Sequence, residues 1–403
     1  MQMLLALAAS HVPLRIPGAT SNPAMAGELR RPENAVTVFL CGDVMLGRGI
    51  DQVLPNPSDP QLHEGYITSA LGYVQLAEKA HGPIPRPVGF DYVWGAALDE
   101  WRRVNPDLRL INLETAITHS EAYEPKGINY RMSPENAGCL LAAGIDSCSL
   151  ANNHILDWGE AGLIETLQVL GRHGIATAGA GRSLAEARAP AILEISGKGR
   201  VIIFSYAMTT SGTPPDWAAT SAGPGVSLLP DLSEATVNQV AGQVRAIKRS
   251  GDLVIASVHW GGNWGYTIPD ERRRFAHALI DRAGISVLHG HSSHHPVAIE
   301  RYRNRLILYG CGDFLNDYEG IAGYEEFRSD LRLMYFATID AVTSDLLNLE
   351  MTPLQIRRFR LHHPTHEDAQ WLQRTLDREC RRFGSRIRLG PEDRLVFFDP
   401  SRR

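Results

Sequence analysis

Cysteine is scarce in this chain: five residues in 403, at positions 41, 139, 148, 311 and 380, with no Cys-x-x-Cys among them. An odd number without close pairs excludes a disulfide scaffold and a structural zinc cluster. Four of the five lie in apolar surroundings, as small buried residues do. A basic excess is also lacking. Forty Lys and Arg face 45 Asp and Glu, a net charge of −5, which argues against general nucleic-acid binding. No apolar run approaches the roughly 20 residues of a membrane span. Internal repeats and low-complexity tracts are absent. The Gly-x4-Gly spacing inside 42–49 lacks the Lys-Ser/Thr of a P-loop, and there is no Gly-x-Ser-x-Gly elbow.

What the chain has is apolar mass and histidine. The apolar fraction of 44% supports a substantial core, in one large or two ordinary domains. Of 15 histidines, four fall between positions 289 and 295. The apolar stretch 3–9 is short and has no positive residue before it, although Ala-Ala-Ser follows it as at a cleavage site. Pro13, Pro17, Gly18, Ser21 and Pro23 favour a poorly ordered leader over residues 1–33, with an exported form as the alternative.

The regular feature is a set of short apolar runs that end abruptly in polar residues. Residues 36–41 run into Gly42-Asp43, 108–111 into Asn112-Leu-Glu114, and 145–150 into Ala151-Asn-Asn-His154. Residues 253–258 run into His259-Trp260, 285–288 into His289-Gly-His291, and 306–309 into Gly310-Cys-Gly-Asp313. Their length and β-branched content predict buried strands. Helical periodicity separates several of them, over 161–173 before Gly174 and over 270–282 before Gly284. Strand–helix alternation predicts an α/β fold with parallel pairing, and ligands of such sheets sit beyond the carboxyl ends of the strands. From about Leu346 the pattern changes. Thr365 with Glu367 and Asp368 predicts a capped helix running to Phe383, and 394–398 a final strand. Residues 346–403 are therefore expected to be an extension packed on a main domain of 34–345.

Taken singly, each polar strand end has an ordinary reading. Asp43 suits a turn, Glu114 a cap, Asn152-Asn153-His154 a polar loop, and His259 a satisfied core position. Asp157 and Glu160 either orient His154 or cap the next helix, capping being commoner. Gly179-Ala-Gly181 before the helical 183–187 is either a phosphate rest or a tight turn. His289-Gly-His291-Ser-Ser-His294-His295 is either a solvated loop or a metal-binding segment. Strand alternation sets His294 out of phase with the other three unless the strand ends near Gly290. Combined, the strand ends supply carboxylates, an amide and imidazoles. That mixed oxygen and nitrogen set suits one or two ions of the manganese, iron or zinc type.

The ordered motifs Gly-Asp43, Asn-Leu-Glu114, Ala-Asn-Asn-His154, His259-Trp-Gly, Gly-His291-x-x-His294 and Leu-Tyr-Gly-x-Gly-x-Phe314 resemble those of the CapA-type proteins. These are associated with poly-γ-glutamate capsule biosynthesis and form a branch of the calcineurin-like metallophosphatase superfamily. The resemblance runs from about Val36 to Tyr335. It implies a four-layer α/β/β/α sandwich and a site of one or two divalent ions. Asp43, Glu114, Asn153, His259, His291 and His294 would be the ligands, and His154 would protonate the leaving group. Asp157, His289, His295 and Asp313 would stand behind the ligands. Arg48 is either an anion contact or a surface arginine. Three positions depart from the pattern: Met45 replaces a superfamily histidine, Asn263 a carboxylate, and Asp313 an asparagine.

The resemblance implies metal-dependent hydrolysis of a phosphoester by an activated water. An amide, lactam or γ-glutamyl bond is the alternative substrate, and a non-catalytic role in capsule assembly is the third reading. The expected partner is a small molecule or polymer carrying phosphate or carboxylate. Unpaired cysteines fit a reducing, cytoplasmic setting.

Overall fold

A computed structural model describes residue 32 and residues 34–400. The leader expected over 1–33 therefore falls almost wholly outside the described residues. The β-branched run at 36–41 forms the strand Ala35–Leu40, buried along its whole length. It lies end to end with the short strand Asp43–Val44, and both pair in parallel along one edge of Leu108–Leu113. Ser147–Ser149 pairs in parallel along the other edge, and Ala176–Ala178 follows it. Helices Ala97–Val104 and Gly159–Arg172 lie in the connections, as parallel pairing requires.

The same sheet then continues antiparallel. Ala35–Leu40 pairs with Leu331–Asp340, which pairs with Leu346–Arg357, and Leu395–Phe398 and Arg386–Leu389 complete the row. The 331–357 hairpin escapes the sequence pattern because Arg332, Thr338, Glu350 and Pro353 interrupt its apolar runs. The helix expected after Thr365 spans His366–Cys380 and continues as a tighter turn to Phe383. Thr365 and Asp368 cap it reciprocally. The helix expected at 270–282 spans Asp270–Ala283 and ends at the left-handed Gly284.

A second, six-stranded sheet has the order Ile299–Tyr302, Arg305–Leu308, Val287–His291, Leu253–His259, Gly199–Ala207, Ala191–Ile195. Its four middle strands run parallel. Strand alternation divides the apolar residues between three cores. Val36, Val38, Leu108 and Leu110 of the first sheet share one core with Val201, Ile203, Leu253 and Ile255 of the second. The opposite face of the first sheet packs Phe39 and Ile111 against Trp94, Trp101, Leu140 and Leu163. The opposite face of the second packs Ile202, Val254 and Val258 against Val237, Val240, Phe275 and Leu279. The α/β class read from strand–helix alternation is thus met. No helix among the described residues is long and apolar enough to cross a membrane.

Candidate metal centre

The residues facing the core between the sheets are first apolar and then polar along each strand. Leu108 and Leu110 are followed on that face by Asn112 and Glu114, Leu253 and Ile255 by Ser257 and His259, and Val287 by His289 and His291. Pairing register then sets the neighbours. His259 stands opposite His291 and Ser257 opposite His289. Asp43 stands opposite Asn112 on one side and Asp313 on the other.

His259 Nδ1 and His291 Nδ1 lie 2.8 Å apart. Asp43 Oδ1, from the other sheet, is 3.9 Å from the first and 3.7 Å from the second. All three side chains are buried, and one donor atom from each lies within 4.8 Å of the others. Glu114 Oε1 is 3.6 Å from His259 Nε2, and Asn153 Oδ1 is 2.9 Å from that same nitrogen. Asn153 thus accepts the His259 Nε2–H and leaves Nδ1 as the free donor of that ring. Ser257 Oγ holds His291 Nε2 at 2.8 Å and His289 Nδ1 at 3.1 Å, while His289 Nε2–H donates to the Cys41 carbonyl at 2.6 Å.

The backbone makes room for this convergence at two points. A Cβ at Gly42 would sit 1.5 Å from the Gly312 carbonyl oxygen, so only glycine allows the two strand ends to meet beside Asp43. At the end of Val287–His291, Ser292 turns with φ +103° and donates its N–H to Asp43 Oδ2 at 3.1 Å. The strand therefore ends at His291, and His294 is released from its alternation. His294 Nδ1 reaches Asp313 Oδ1 at 3.0 Å. Asp313 Oδ2 accepts from Asn316, whose own Oδ1 accepts from Arg332.

One carboxylate and two imidazoles within this radius form a donor set that fits a divalent transition ion. The electrostatics of the protein agree. Burial holds His259 and His291 well below the usual imidazole range, in the neutral form that ligates metals. Burial and then the Asp313 charge push Asp43 up to about 8, against the hydrogen bonds from Asn112 and Ser292. Burial, Asp43 and Asp313 likewise raise Glu114. Burial opposes charge on Asp313 and His294 too, but their mutual attraction outweighs it, lowering the acid and raising the base. Three carboxylates thus meet in a buried space that raises two of them, and a cation among them would favour their charged forms.

Beside this cluster stands His154. Its Nδ1–H donates to Asp157 Oδ2 at 2.7 Å, its ring stacks on Tyr130 at 3.8 Å, and its backbone N–H donates to Asn152 Oδ1. Asn152 in turn donates to Asn112 Oδ1, and Asn112 to Asp43 Oδ1 at 2.7 Å, which ties the loop to the first strand. Asp157 makes no helix cap, because Gly159–Arg172 begins without a side-chain cap. The commoner capping reading is corrected, and Asp157 orients His154. Burial holds His154 down, to about 4, against the pull of Asp157.

Arg48 is not a surface arginine. Its guanidinium is buried, donates to Asp317 through Nε, to Glu64 at 2.8 Å and to Tyr73 at 2.9 Å, and lies 3.8 Å over the Tyr73 ring. With its donors so engaged it braces the site and does not offer a free edge to an anion. His295 is drawn away from the cluster. Its Nδ1–H donates to the Pro296 carbonyl, its Nε2 accepts from Gly265, and its ring packs against Trp264, Tyr266 and Phe327. Gly179-Ala-Gly181 is the tight turn, since a Cβ at Gly179 would lie 2.4 Å from Ser205 Oγ.

Lys126 was not legible in the sequence. Its Nζ lies 2.7 Å from Asp157 Oδ1 and 3.4 Å from His154 Nδ1, and donates to the Asn153 carbonyl. It sits in an irregular loop with no motif around it. Asn112 and Ser292 are also structural findings, although each lies inside a motif read for its neighbours.

Residues 37–318 match the family model described as bacterial capsule synthesis protein PGA_cap. A probable polyglutamine synthesis accessory protein of Mycobacterium tuberculosis is 49% identical over 364 residues, 90% of this chain and 96% of that protein. The PGA biosynthesis protein CapA of Bacillus subtilis is 24% identical over 91% of this chain and 83% of its own length. The capsule biosynthesis protein CapA of Bacillus anthracis is 23% identical over 73% of this chain and 63% of its own. With most of its length matched in this way, the chain belongs to the PGA_cap family of bacterial capsule synthesis proteins, the CapA type.

Proposed function

We propose that this protein is a metal-dependent hydrolase of the metallophosphatase type, acting on a phosphoester. The observation that carries the reading is the convergence of Asp43, His259 and His291 from two facing sheets, with the His154–Asp157 pair beside them. A bound manganese, iron or zinc ion supplies Lewis acidity toward a phosphoryl or acyl oxygen and makes water more acidic. Asp43, His259 and His291 would hold a first ion, and Glu114, His294 and Asp313 are the donors around it for a second. Asn153 keeps the His259 ring turned with Nδ1 free. Asp157 commits His154 Nδ1, so Nε2 is the atom through which His154 takes and returns a proton. The order helix, sheet, sheet, helix among the three cores supports the four-layer sandwich, with 34–345 as its domain and 346–403 as an extension.

A second reading uses the same residues on a γ-glutamyl amide. It is favoured by Met45, which is buried where the superfamily carries a ligating histidine, so the triad serves one ion well. Carbonyl polarisation needs one such ion. The relatives' names, which speak of polyglutamine and PGA synthesis, point the same way. Parallel assays of the manganese-loaded protein on aryl phosphates and on γ-glutamyl amides decide between them. Turnover of the first and not the second is expected. The reverse result selects the amide reading, and no turnover of either with stoichiometric metal leaves a non-catalytic assembly role.

A further inference from the structure

A cavity of about 460 Å³, lined by none of the residues of the candidate metal centre, lies between the end of helix Leu71–His81 and the hairpin made by Leu346–Arg357 and Arg360–His362. Its lining is His81, Gln355, Arg357, Arg358, His362 and His363, with no carboxylate among them. The acids near it are already committed. Glu319 accepts from His81 Nδ1 at 2.6 Å and from the backbone N–H groups of Arg358 and Phe359 at 2.7 and 2.5 Å. Asp330 pairs with Arg328 and accepts from Gln355 at 2.6 Å. Neither Arg357 nor Arg358 has an ion-pair partner among the described residues. His362 Nε2 is buried with no hydrogen-bond partner.

The turn itself is held in an unfavourable shape. Arg358 and Phe359 both have positive φ, +55° and +56°, at the two positions where a tight hairpin favours Asn-Gly. Phe359 anchors the turn in the core and Glu319 holds its N–H groups, so Arg358 is presented at a set place beside Arg357. Two unpaired guanidinium forks lining one cavity that no carboxylate enters form a receptor for an oxyanion with at least two negative charges. We propose that this cavity binds such an anion, a run of carboxylates or a polyphosphate, independently of the metal centre.

The test is calorimetric titration of the full chain with hexameric glutamate, with tripolyphosphate, and with hexameric glutamine as a neutral control. Saturable binding of at least one anion and none of glutamine is expected, and the two anions distinguish carboxylate from phosphate as the natural source. The exposed double variant Arg357→Gln, Arg358→Gln should weaken that binding tenfold or more, and the Lys,Lys double variant should recover part of it. Asp43→Asn should bind the anion as the wild type does, which separates this site from the metal centre. No saturable binding of either anion, or equal binding by the Gln,Gln variant, overturns the proposal.

Discussion

The Nδ1 atoms of His259 and His291 face each other at 2.8 Å. Two neutral imidazoles at that distance can share one proton, and then one of the two lone pairs is used and the other is blocked. A cation satisfies both at once. Donors bound at about 2.1 Å and set 90° to 110° apart stand about 3.0 to 3.4 Å from one another; the two imidazole nitrogens at 2.8 Å are a little closer than that, and the Asp43 oxygen at 3.7 and 3.9 Å a little farther.

Metal content follows from this geometry. Purified protein should carry at least one equivalent of manganese, iron or zinc by elemental analysis. His259→Ala should lose that equivalent. Asn153→Ala, which removes only the partner that turns the ring, should weaken metal affinity about 10- to 100-fold. Wild-type protein that takes up no transition metal would refute the assignment.

His154 and Asp157 should behave as a unit. His154→Ala is expected to lower kcat about 100- to 10,000-fold on a confirmed substrate while metal content stays at the wild-type level. Asp157→Asn should cause a smaller loss, because the ring is retained but Nδ1 is less firmly held. A His154→Ala variant with unchanged kcat would remove His154 from the chemistry.

Gly42→Ala tests the junction of the two strand ends. The added Cβ has the Gly312 carbonyl oxygen 1.5 Å away and backbone on that side, so the strand must shift. Destabilisation of about 3 kcal/mol or more is expected by denaturant titration, with metal binding lost in step. Gly65→Ala, where a Cβ meets nothing within 4 Å, is the matched control.

The helix His366–Cys380 has its own pH signature, at Asp377. Asp377 accepts from Arg386 at 2.7 Å, from Arg381 and from the Ile387 N–H at 3.0 Å, and despite burial these hold its carboxyl down, at about 2. A folded-state value below the unfolded one adds stability that is full above about 4 and is lost as pH falls toward 2. Asp377→Asn should therefore cost about 1–2 kcal/mol at pH 7 and progressively less below pH 4. A cost that does not shrink on acidification would assign the loss to packing.

How much of this was legible depended on range. Strand ends carrying Asp43, Glu114, His259 and His291 could be read because a buried strand is a local pattern and its last polar residue marks where apolar cover stops. The same local logic left two readings open for Arg48 and for Asp157. An arginine five residues beyond a strand end looks solvated, and an aspartate before a helix looks like a cap. Asp317 and Glu64 in one case, and His154 with Tyr130 in the other, became visible only as neighbours in space. Lys126 had no local pattern at all.

The sequence by itself therefore determined the strand–helix alternation, the polar strand ends and the set of chemical types available, because each follows from burial and backbone geometry over a few residues. Tertiary structure alone decided that these ends meet across two facing sheets, that register sets His259 opposite His291, and that His294 leaves the row while His295 turns away. Those choices rest on pairing between strands that are separate in the chain, on the close approach at Gly42 and on the left-handed turn at Ser292, none of which is a property of a single stretch of chain.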